Sequence, residues 1–315
     1  MIEAEGLTKY YGAVPAIRDV SFRVEEGEVL GFLGPNGAGK TTTMKILTGF
    51  MPPTSGRARV AGFSLEEEPL EVKRRIGYMP ENIALYTDMT VREYLRFVSD
   101  VKGIERKDRE AAIERVRGLC SLSPVMDRMI GNISRGFKQR TGLAQALLTD
   151  PSVLILDEPT IGLDPTQIIE IRELIKSLGG ERTIILCSHI LPEVSMTCGR
   201  VVIINEGRVV AQDTPENLTR HMEVSASVSL TVGGRAEEAE ALLKEVPGVI
   251  AVRRTSEGEG EVHTFLVEAA KERELRPELA SAICRSGLKL LELRPQYMSL
   301  EDVFMKLVTE EEARA

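Results

Sequence analysis

Several features that this chain lacks exclude classes of function. Its 315 residues include no tryptophan, and its apolar runs, such as Val201 to Ile204, are far too short to cross a bilayer. Any role at a membrane therefore requires a partner. Basic residues are outnumbered by acidic ones, 40 to 48, and the net charge of −8 argues against a general nucleic-acid binder. The N-terminus, Met1 to Glu5, shows no basic-then-apolar signal segment.

Cysteine is scarce, and its spacing does not suggest a metal site. The four cysteines are Cys120, Cys187, Cys198 and Cys284. Because they show no paired metal-type spacing, we expect buried thiols in a reducing cytosol. The sequence also lacks low-complexity tracts, and its 43% hydrophobic and 28% charged residues are typical of a soluble globular protein. The length predicts two domains, or one large domain with an appendage.

A glycine loop, Gly34 to Thr41, is the most specific stretch of the chain. It follows the apolar run Val29 to Leu33 and precedes Thr42 to Leu47, which we predict to be a helix. This order is that of a phosphate-binding loop, in which backbone N–H groups and the helix end face an anion. Lys40 would reach the β- and γ-phosphates, and the Thr41 hydroxyl would bind Mg²⁺. The stretch therefore predicts a nucleoside triphosphate site.

Two acids end a second apolar run, Val153 to Leu156. Such a run suits a strand buried on both faces of a parallel sheet, and ligand chemistry lies at the carboxyl ends of such strands. Asp157 would hold Mg²⁺ directly or through water, and Glu158 would accept a proton from the attacking water or orient it. His189 likewise follows a predicted strand, Thr183 to Cys187, although a histidine considered alone is more often a structural core or turn residue than a catalytic one.

The remaining pattern predicts strands before residue 90 and a mostly helical stretch between residues 90 and 148. We predict antiparallel strands within residues 1–33, a strand over Arg57 to Phe63 and another over Ile76 to Met79. Thr90 to Glu93 fits a capping box, and the chain is mostly helical from there to about residue 148. We further expect a hairpin around Glu206-Gly207.

Three single residues carry narrower predictions. Ser134 lies where a helix N-cap belongs, and Asp164, before Pro165, opens an amphipathic helix. Tyr11 could stack on adenine, although an aromatic residue at a strand edge more often packs on its own sheet.

Together, these stretches resemble the ATP-binding cassette (ABC) transporter ATPases over roughly residues 2–220. Gly34 to Thr41 resembles the Walker A loop, and Val153 to Glu158 resembles Walker B with its catalytic glutamate. Leu163-Asp164 resembles the D-loop, and His189 aligns with the switch histidine that contacts the γ-phosphate.

The resemblance implies a set of site residues. Its catalytic group is Glu158, His189 and Lys40, and its metal ligands are Thr41, Asp157 and Glu81. It also makes Tyr11 the adenine-stacking aromatic. The nucleotide contacts that it implies are Tyr11, Asn36, Gly37, Ala38, Gly39, Lys40, Thr41, Thr42, Glu81, Ser134, Gly136 and Asp164.

Two segments depart from the family pattern. The signature, commonly Leu-Ser-Gly-Gly-Gln, here runs from Ile133 to Phe137 and carries Arg135 in place of the first glycine. Ser134 and Gly136 remain, so a hydroxyl and an amide can still face a partner's γ-phosphate. Glu81 replaces the Q-loop glutamine, and its carboxylate would bind Mg²⁺ or repel an unshielded phosphate. We expect an active ATPase.

The expected fold is α/β: a P-loop cassette with a mixed sheet core, an antiparallel β subdomain and a helical subdomain, over residues 1–220. Residues 221–315 show a βαββαβ order that predicts a small α+β ferredoxin-like domain. A last helix, capped by Ser299 to Asp302, carries Val303, Phe304 and Leu307. This domain resembles the C-terminal domain of cassette ATPases whose membrane half is a separate polypeptide. Regulation, dimer contact and passive packing all stay open as its role.

The resemblance implies the ATP-hydrolysing subunit of an exporter, cytoplasmic and held at the inner face of the cell membrane by permease subunits. A head-to-tail homodimer would close around two ATP, and hydrolysis would reopen it. Glu81 to Met89 is the candidate permease contact, with a solvated loop as the alternative. Two other functions stay open: a soluble cassette ATPase acting on the ribosome or DNA, and a nucleotide-gated binding module with little turnover, which Glu81 and Phe137 would favour.

Overall fold

The computed structural model describes residues 1–222, 225–257, 262–270, 275–296 and Phe304. The chain divides into two compact units, the first ending at Pro215 and the second beginning at Glu216. The sequence pattern predicts the boundary between the two domains at residue 220.

An antiparallel sheet opens the first unit. It contains β1 (Ile2–Tyr11), β2 (Val14–Val24), β4 (Ser55–Val60) and β5 (Phe63–Ser64), in the order β2-β1-β4-β5. The single strand predicted over Arg57 to Phe63 is wrong, because Val60 pairs with Phe63 and makes Ala61-Gly62 a two-residue hairpin loop. Both loop residues have positive φ, 51° and 85°, as the tight turns that suit strand twist require.

A second sheet positions the candidate site. Among the described residues its strands are β3 (Val29–Leu33), β6 (Ile76–Met79), β7 (Val153–Asp157), β8 (Thr183–Ser188), β9 (Arg200–Asn205) and β10 (Arg208–Asp213). Their order is β10-β9-β3-β8-β7-β6, parallel except for the β9–β10 hairpin. Every residue of β7 and β8 is buried, as predicted for strands covered on both faces.

Helices cover this sheet and form the predicted helical subdomain. They are α1 (Lys40–Leu47), α2 (Pro69–Arg75), α3 (Val91–Val101), α4 (Arg109–Leu119), α5 (Arg135–Leu147), α6 (Pro165–Leu178) and α7 (Leu191–Thr197), with short 3₁₀ turns at Ser123–Val125 and Ile130–Asn132. The capping box at α3 is confirmed: the Glu93 N–H donates to the Thr90 hydroxyl and the Thr90 N–H donates to the Glu93 carboxylate. Ser134 and Asp164 are the N-caps of α5 and α6, as predicted.

The second unit has its own sheet and core. After α8 (Pro215–Met222), its elements are β11 (Ser225–Gly233), α9 (Ala236–Glu245), β12 (Val249–Glu257), β13 (Val262–Ala270), α10 (Arg276–Ser286) and β14 (Lys289–Gln296). The strands are antiparallel in the order β12-β13-β11-β14. Leu230, Phe265 and Leu279 are fully buried in one apolar cluster between sheet and helices. The last predicted helix, Ser299 to Leu307, lies outside the described residues except at Phe304.

The cysteines follow the prediction in part. Cys120, Cys187 and Cys198 are buried, but Cys284 is exposed. It follows the fully buried Ile283 on α10, and the next residue of a helix turns about 100° away from the buried face. In the described part of the chain, no helix is both long enough and apolar enough to cross a membrane.

Candidate functional site

The register of the parallel strands brings the predicted catalytic segments to one edge. Leu33, at the end of β3, pairs with Ser188, at the end of β8, and Asp157 of β7 pairs with Cys187. The phosphate loop, Glu158 and His189 each follow one of these strand ends, so the backbone fixes their proximity. They border a cavity of about 410 Å³ lined by Ala16, Asn36, Gly37, Gly39, Lys40, Thr41, Thr42, Glu81, Glu158, Ile161 and His189.

The glycines of the loop are needed at two places. Gly37 and Gly39 have φ of +84° and +104°, a region that L side chains rarely adopt. A Cβ on Gly39 would also lie 2.5 Å from a methyl carbon of Ile17 and 2.7 Å from the Ala16 carbonyl oxygen. The loop is therefore pressed against β2, and its N–H groups keep the curvature that surrounds an anion.

Lys40 is the first residue of α1 and is 6% exposed. Its ammonium donates to the carbonyl oxygens of Gly34 (2.7 Å) and Pro35 (3.1 Å), and it lies 3.7 Å from Oε1 of Glu158. An ammonium has three N–H groups. Two of them serve the loop, and the third can serve a phosphate oxygen in the cavity.

Asp157 is fully buried. Among the described residues, neither of its carboxylate oxygens accepts a hydrogen bond with an ordinary distance and angle. Burial raises the pKa of this carboxyl group, and the nearby Thr41 hydroxyl and Cys187 thiol offset that effect in part. A buried carboxylate without partners is costly, and such groups commonly bind a metal ion. The two oxygens, with the Thr41 hydroxyl beside them, fit a hard divalent cation such as Mg²⁺.

Glu158 is held in an unusual conformation by several contacts. Its φ of 53° is left-handed, and its N–H donates to the Cys187 carbonyl at 2.9 Å. His189 Nδ1 lies 2.9 Å from Oε1, and Ser188 Oγ lies 3.5 Å from Oε2. Backbone strain in a non-glycine residue of a cavity wall is common at functional sites, where the surroundings enforce a side-chain direction.

Comparison with known proteins decides the family. The family model described as ABC transporter matches residues 17–161, from β2 to the loop after Glu158. An ABC transporter ATP-binding protein of Bacillus subtilis, YxlF, is 34% identical over 98% of this chain and 99% of its own length. The bacitracin transport ATP-binding protein BcrA of Bacillus licheniformis is 35% identical over 98% of this chain and 97% of its own. The chain belongs to the ATP-binding proteins of ABC transporters.

The remaining comparisons agree with this family. A solved structure of an ATP-binding subunit of an ABC transporter is 32% identical, with a TM-score of 0.63 over 70% of this chain and 92% of its own. A second family model, described as an AAA domain and putative AbiEii toxin, matches residues 128–196. As a member of this family, the protein is an ATPase that serves a transporter. This membership favours transport over ribosome- or DNA-directed action and over a non-hydrolysing binding module.

Three residues that the family pattern assigns to nucleotide contact lie outside the cavity of this single chain. Ser134 accepts a hydrogen bond from the Phe137 N–H at 3.4 Å, and Asp164 accepts one from the Gln167 N–H at 3.0 Å. Gly136 is buried, and a Cβ on it would lie 2.3 Å from Oε1 of Gln167 in the first turn of α6. The signature therefore packs against the start of α6, just after the D-loop, and Ser134 and Asp164 cap α5 and α6.

Two other assigned residues also lie outside the lining of this cavity. Tyr11 is 49% exposed at the end of β1, and its hydroxyl donates to the Met51 sulfur at 3.1 Å. A stacking role needs such partial exposure at the surface. Ala38 is 3% exposed and packs in the core of the first unit.

Glu81 follows β6 and lines the cavity, as the metal assignment requires. It also lines a neighbouring cavity of about 310 Å³, whose other walls include Arg135 of the signature and Ile161. Two of the residues that depart from the family pattern, one acidic and one basic, thus line the same cavity.

Three polar residues that the sequence pattern did not indicate form a hydrogen-bonded group next to Glu158, which Ser188 contacts directly. Ser188, Thr160 and Glu193 are all buried and are hydrogen-bonded together behind Glu158. A signal was present for Glu193, because this acid lies between Leu191 and Val194 on the buried face of α7. The other two are small hydroxyl residues next to predicted site residues and carry no signal of their own.

Proposed function

We propose that this chain is the ATPase subunit of an ABC exporter and that Lys40, Glu158 and His189 carry its chemistry. The observation behind this proposal is their convergence: Oε1 of Glu158 lies 2.9 Å from His189 and 3.7 Å from Lys40, beside the phosphate loop. Residues 1–220 would form the nucleotide-binding domain, and residues 221–315 an accessory domain.

Each of the three residues has a part in hydrolysis. The loop N–H groups and Lys40 hold the β- and γ-phosphates, so that charge developing on the phosphoryl group meets fixed donors. Glu158 orients the attacking water and accepts its proton. His189 fixes Oε1 of Glu158 through Nδ1, which directs Oε2 toward the water, and its other nitrogen serves the γ-phosphate.

Asp157, Thr41 and Glu81 would hold Mg²⁺ at this edge. When bound there, the ion would neutralise part of the negative charge on the β- and γ-phosphates. The two oxygens of Asp157 support this assignment, because the Thr41 hydroxyl and the Cys187 thiol compensate their burial only in part.

Closure would require a second copy of the chain. Lys40, Glu158 and His189 meet within one chain, whereas Ser134 and Gly136 lie elsewhere on the same chain. In a head-to-tail homodimer they would face the triphosphate bound by the other copy, with Asp164 nearby. Two ATP would then be enclosed, and hydrolysis would separate the copies.

The permease contact is proposed at Glu81 to Met89. Tyr86 in this segment is 50% exposed, and its ring makes edge contacts with Tyr94 and Phe97 at 6.1 and 5.4 Å between centroids. Exposed aromatic clusters are typical of protein interfaces. The proposed partner is a multi-span membrane subunit, which would hold this chain at the inner face of the membrane. The name of BcrA, bacitracin transport, supports a transported small molecule rather than a macromolecular target.

A phosphate-release assay tests the enzymatic part. We expect Glu158→Gln to lower kcat by about 10²–10⁴-fold, since it removes a general base but keeps the side-chain volume. Glu173→Gln is the matched control, because Glu173 is an exposed acid on α6. Equal, slow turnover of the wild type and the Glu158 variant would refute the proposed chemistry.

The transport part has a separate test. We expect affinity purification from detergent extracts to yield a multi-span membrane protein together with this chain. Recovery of ribosomal proteins instead would refute the exporter assignment.

A further inference from the structure

Glu193 is a third buried acid near this site, in addition to Asp157 and Glu158. Glu193 on α7 is 6% exposed, and its Oε2 accepts hydrogen bonds from Thr160 Oγ1 at 2.6 Å and from Ser188 Oγ at 3.2 Å. Its Oε1 has no partner among the described residues. A buried carboxylate is expensive for a small structural gain. The chemistry assigned so far to Lys40, Glu158 and His189 gives it no task.

Ser188 connects this acid to Glu158. Its hydroxyl lies 3.2 Å from Oε2 of Glu193 and 3.5 Å from Oε2 of Glu158. The Ile190 N–H donates to the same hydroxyl oxygen at 3.0 Å, which fixes that oxygen in place. A serine hydroxyl has one proton, so it can donate to one of the two carboxylates at a time. The shorter distance gives that proton to Glu193.

The direction in which Ser188 donates its proton determines whether Oε2 of Glu158 is free to accept a proton from water. His189 and Lys40 approach its Oε1, which leaves Oε2 as the oxygen able to accept a proton from water. A hydrogen bond from Ser188 to Oε2 would stabilise the carboxylate there and weaken it as a base. Since charged acceptors form the stronger hydrogen bonds, a charged group at position 193 competes well for the Ser188 proton.

We propose that Glu193 is a positioning residue for hydrolysis, which holds the Ser188 hydroxyl proton and so keeps Oε2 of Glu158 free for the attacking water. This inference rests on the proposed role of Glu158. Thr160, two residues after Glu158, donates to the same oxygen of Glu193 as Ser188 does, so the segments that follow β7 and end β8 meet at one carboxylate.

A set of three variants in the full-length protein tests this assignment. Glu193→Gln offers a neutral and weaker acceptor, so the Ser188 proton turns to Glu158, and we expect kcat to fall roughly tenfold or more. KM for ATP should stay within about twofold, because no phosphate contact changes. Ser188→Ala should retain most of the activity. The double variant should recover to the level of Ser188→Ala, since no hydroxyl remains to compete.

The pattern of recovery separates positioning from folding. If Glu193 serves the fold alone, the double variant would be as slow as Glu193→Gln or slower, and the proposal is overturned. Unchanged kcat in Glu193→Gln overturns it as well. Glu158→Gln measured in parallel reports on the base itself, so an active Glu158 variant would instead reject the proposed chemistry. Glu173→Gln serves again as the exposed control.

A fourth variant tests the proposal even if Glu193→Gln does not fold. Thr160→Val keeps the side-chain shape and removes the shorter hydrogen bond to Glu193. The carboxylate then attracts the Ser188 proton more strongly, so kcat should not fall below about half of the wild-type value. A larger loss of kcat, at an unchanged KM and an unchanged thermal midpoint, would contradict the proposal.

Discussion

Two parts of the nucleotide machinery differ in how complete they are within one chain. At the strand ends, Lys40, Asp157, Glu158 and His189 already stand around the phosphate loop. In the segment from Ser134 to Phe137, the Ser134 hydroxyl serves as a helix cap, and Gly136 is buried with the Gln167 side chain next to its Cα. The first part depends on sheet register, which a single chain can fix. In the proposed homodimer, the second part would contact the triphosphate that is bound by the other copy.

The largest effect expected after that of Glu158→Gln tests the strand-end side of this contrast. Lys40→Ala removes a charged donor buried beside the phosphate loop. We expect hydrolysis to fall about 10²–10³-fold, because fixed donors at developing charge contribute that much. Binding of a fluorescent ATP analogue to dilute protein should weaken as well. Unchanged binding by the dilute variant would show that the single chain does not hold the phosphates through Lys40.

The next effect concerns the signature. Ser134→Ala should lower hydrolysis by about 10²-fold while leaving ATP binding by dilute protein unchanged, since this hydroxyl would serve the other copy. The variant also loses the N-cap of α5, which should cost about 1 kcal/mol of unfolding free energy.

Ser134→Asp separates the two roles of this residue. Aspartate is as good an N-cap as serine, so stability in a urea titration should stay near that of the wild type. Its charge would repel a triphosphate, so hydrolysis should stay low. A Ser134→Asp enzyme with full turnover would place the phosphate contact elsewhere.

A smaller effect is expected at Asp157. Burial raises the pKa of this carboxyl group in the folded protein, so its protonated form favours folding and that contribution is lost as pH rises through the folded-state pKa. Asp157→Asn should therefore raise the thermal midpoint without Mg²⁺ at pH 7, by roughly 2–4 °C per kcal/mol gained. Its advantage should shrink toward pH 4.

Added Mg²⁺ provides the control for this prediction. Mg²⁺ with nucleotide should stabilise the wild type more than Asp157→Asn, because the amide cannot replace a carboxylate ligand. If Asp157→Asn is the less stable protein at pH 7 without Mg²⁺, the carboxylate has partners that the geometry does not show.

The smallest effect is expected at Glu81, which lies at the edge of both cavities. Glu81→Gln restores the usual family residue and removes an exposed negative charge. We expect KM for ATP with Mg²⁺ to rise roughly two- to fivefold, because an amide is a weaker Mg²⁺ ligand than the carboxylate proposed to hold the ion. A fall in KM would instead show that the charge of Glu81 repels the triphosphate and does not bind the metal.

Local patterns explain what the sequence could predict. Gly34 to Thr41, the capping box at Thr90 and the strand that ends at Asp157 each depend on neighbouring residues, so spacing alone identifies them. Their meeting at one edge follows because parallel strands share the direction of their carboxyl ends.

The remainder of the site depends on residues far apart in the chain. Thr160, Ser188 and Glu193 come from three segments, and their hydrogen bonds exist only once β7, β8 and α7 are packed. The short hairpin at Ala61-Gly62 was missed for a different reason: apolar residues continue from Val60 through the two-residue loop to Phe63, so Arg57 to Phe63 resembles one strand.

A mixing experiment with two inactive variants tests the central claim that each site combines Lys40 of one copy with Ser134 of another. In a mixed dimer of Lys40→Ala and Ser134→Ala, one site carries both defects and the other carries neither. Random pairing should therefore restore about a quarter of the wild-type phosphate release in a symmetric dimer. A mixture no more active than its separate components would contradict the shared site.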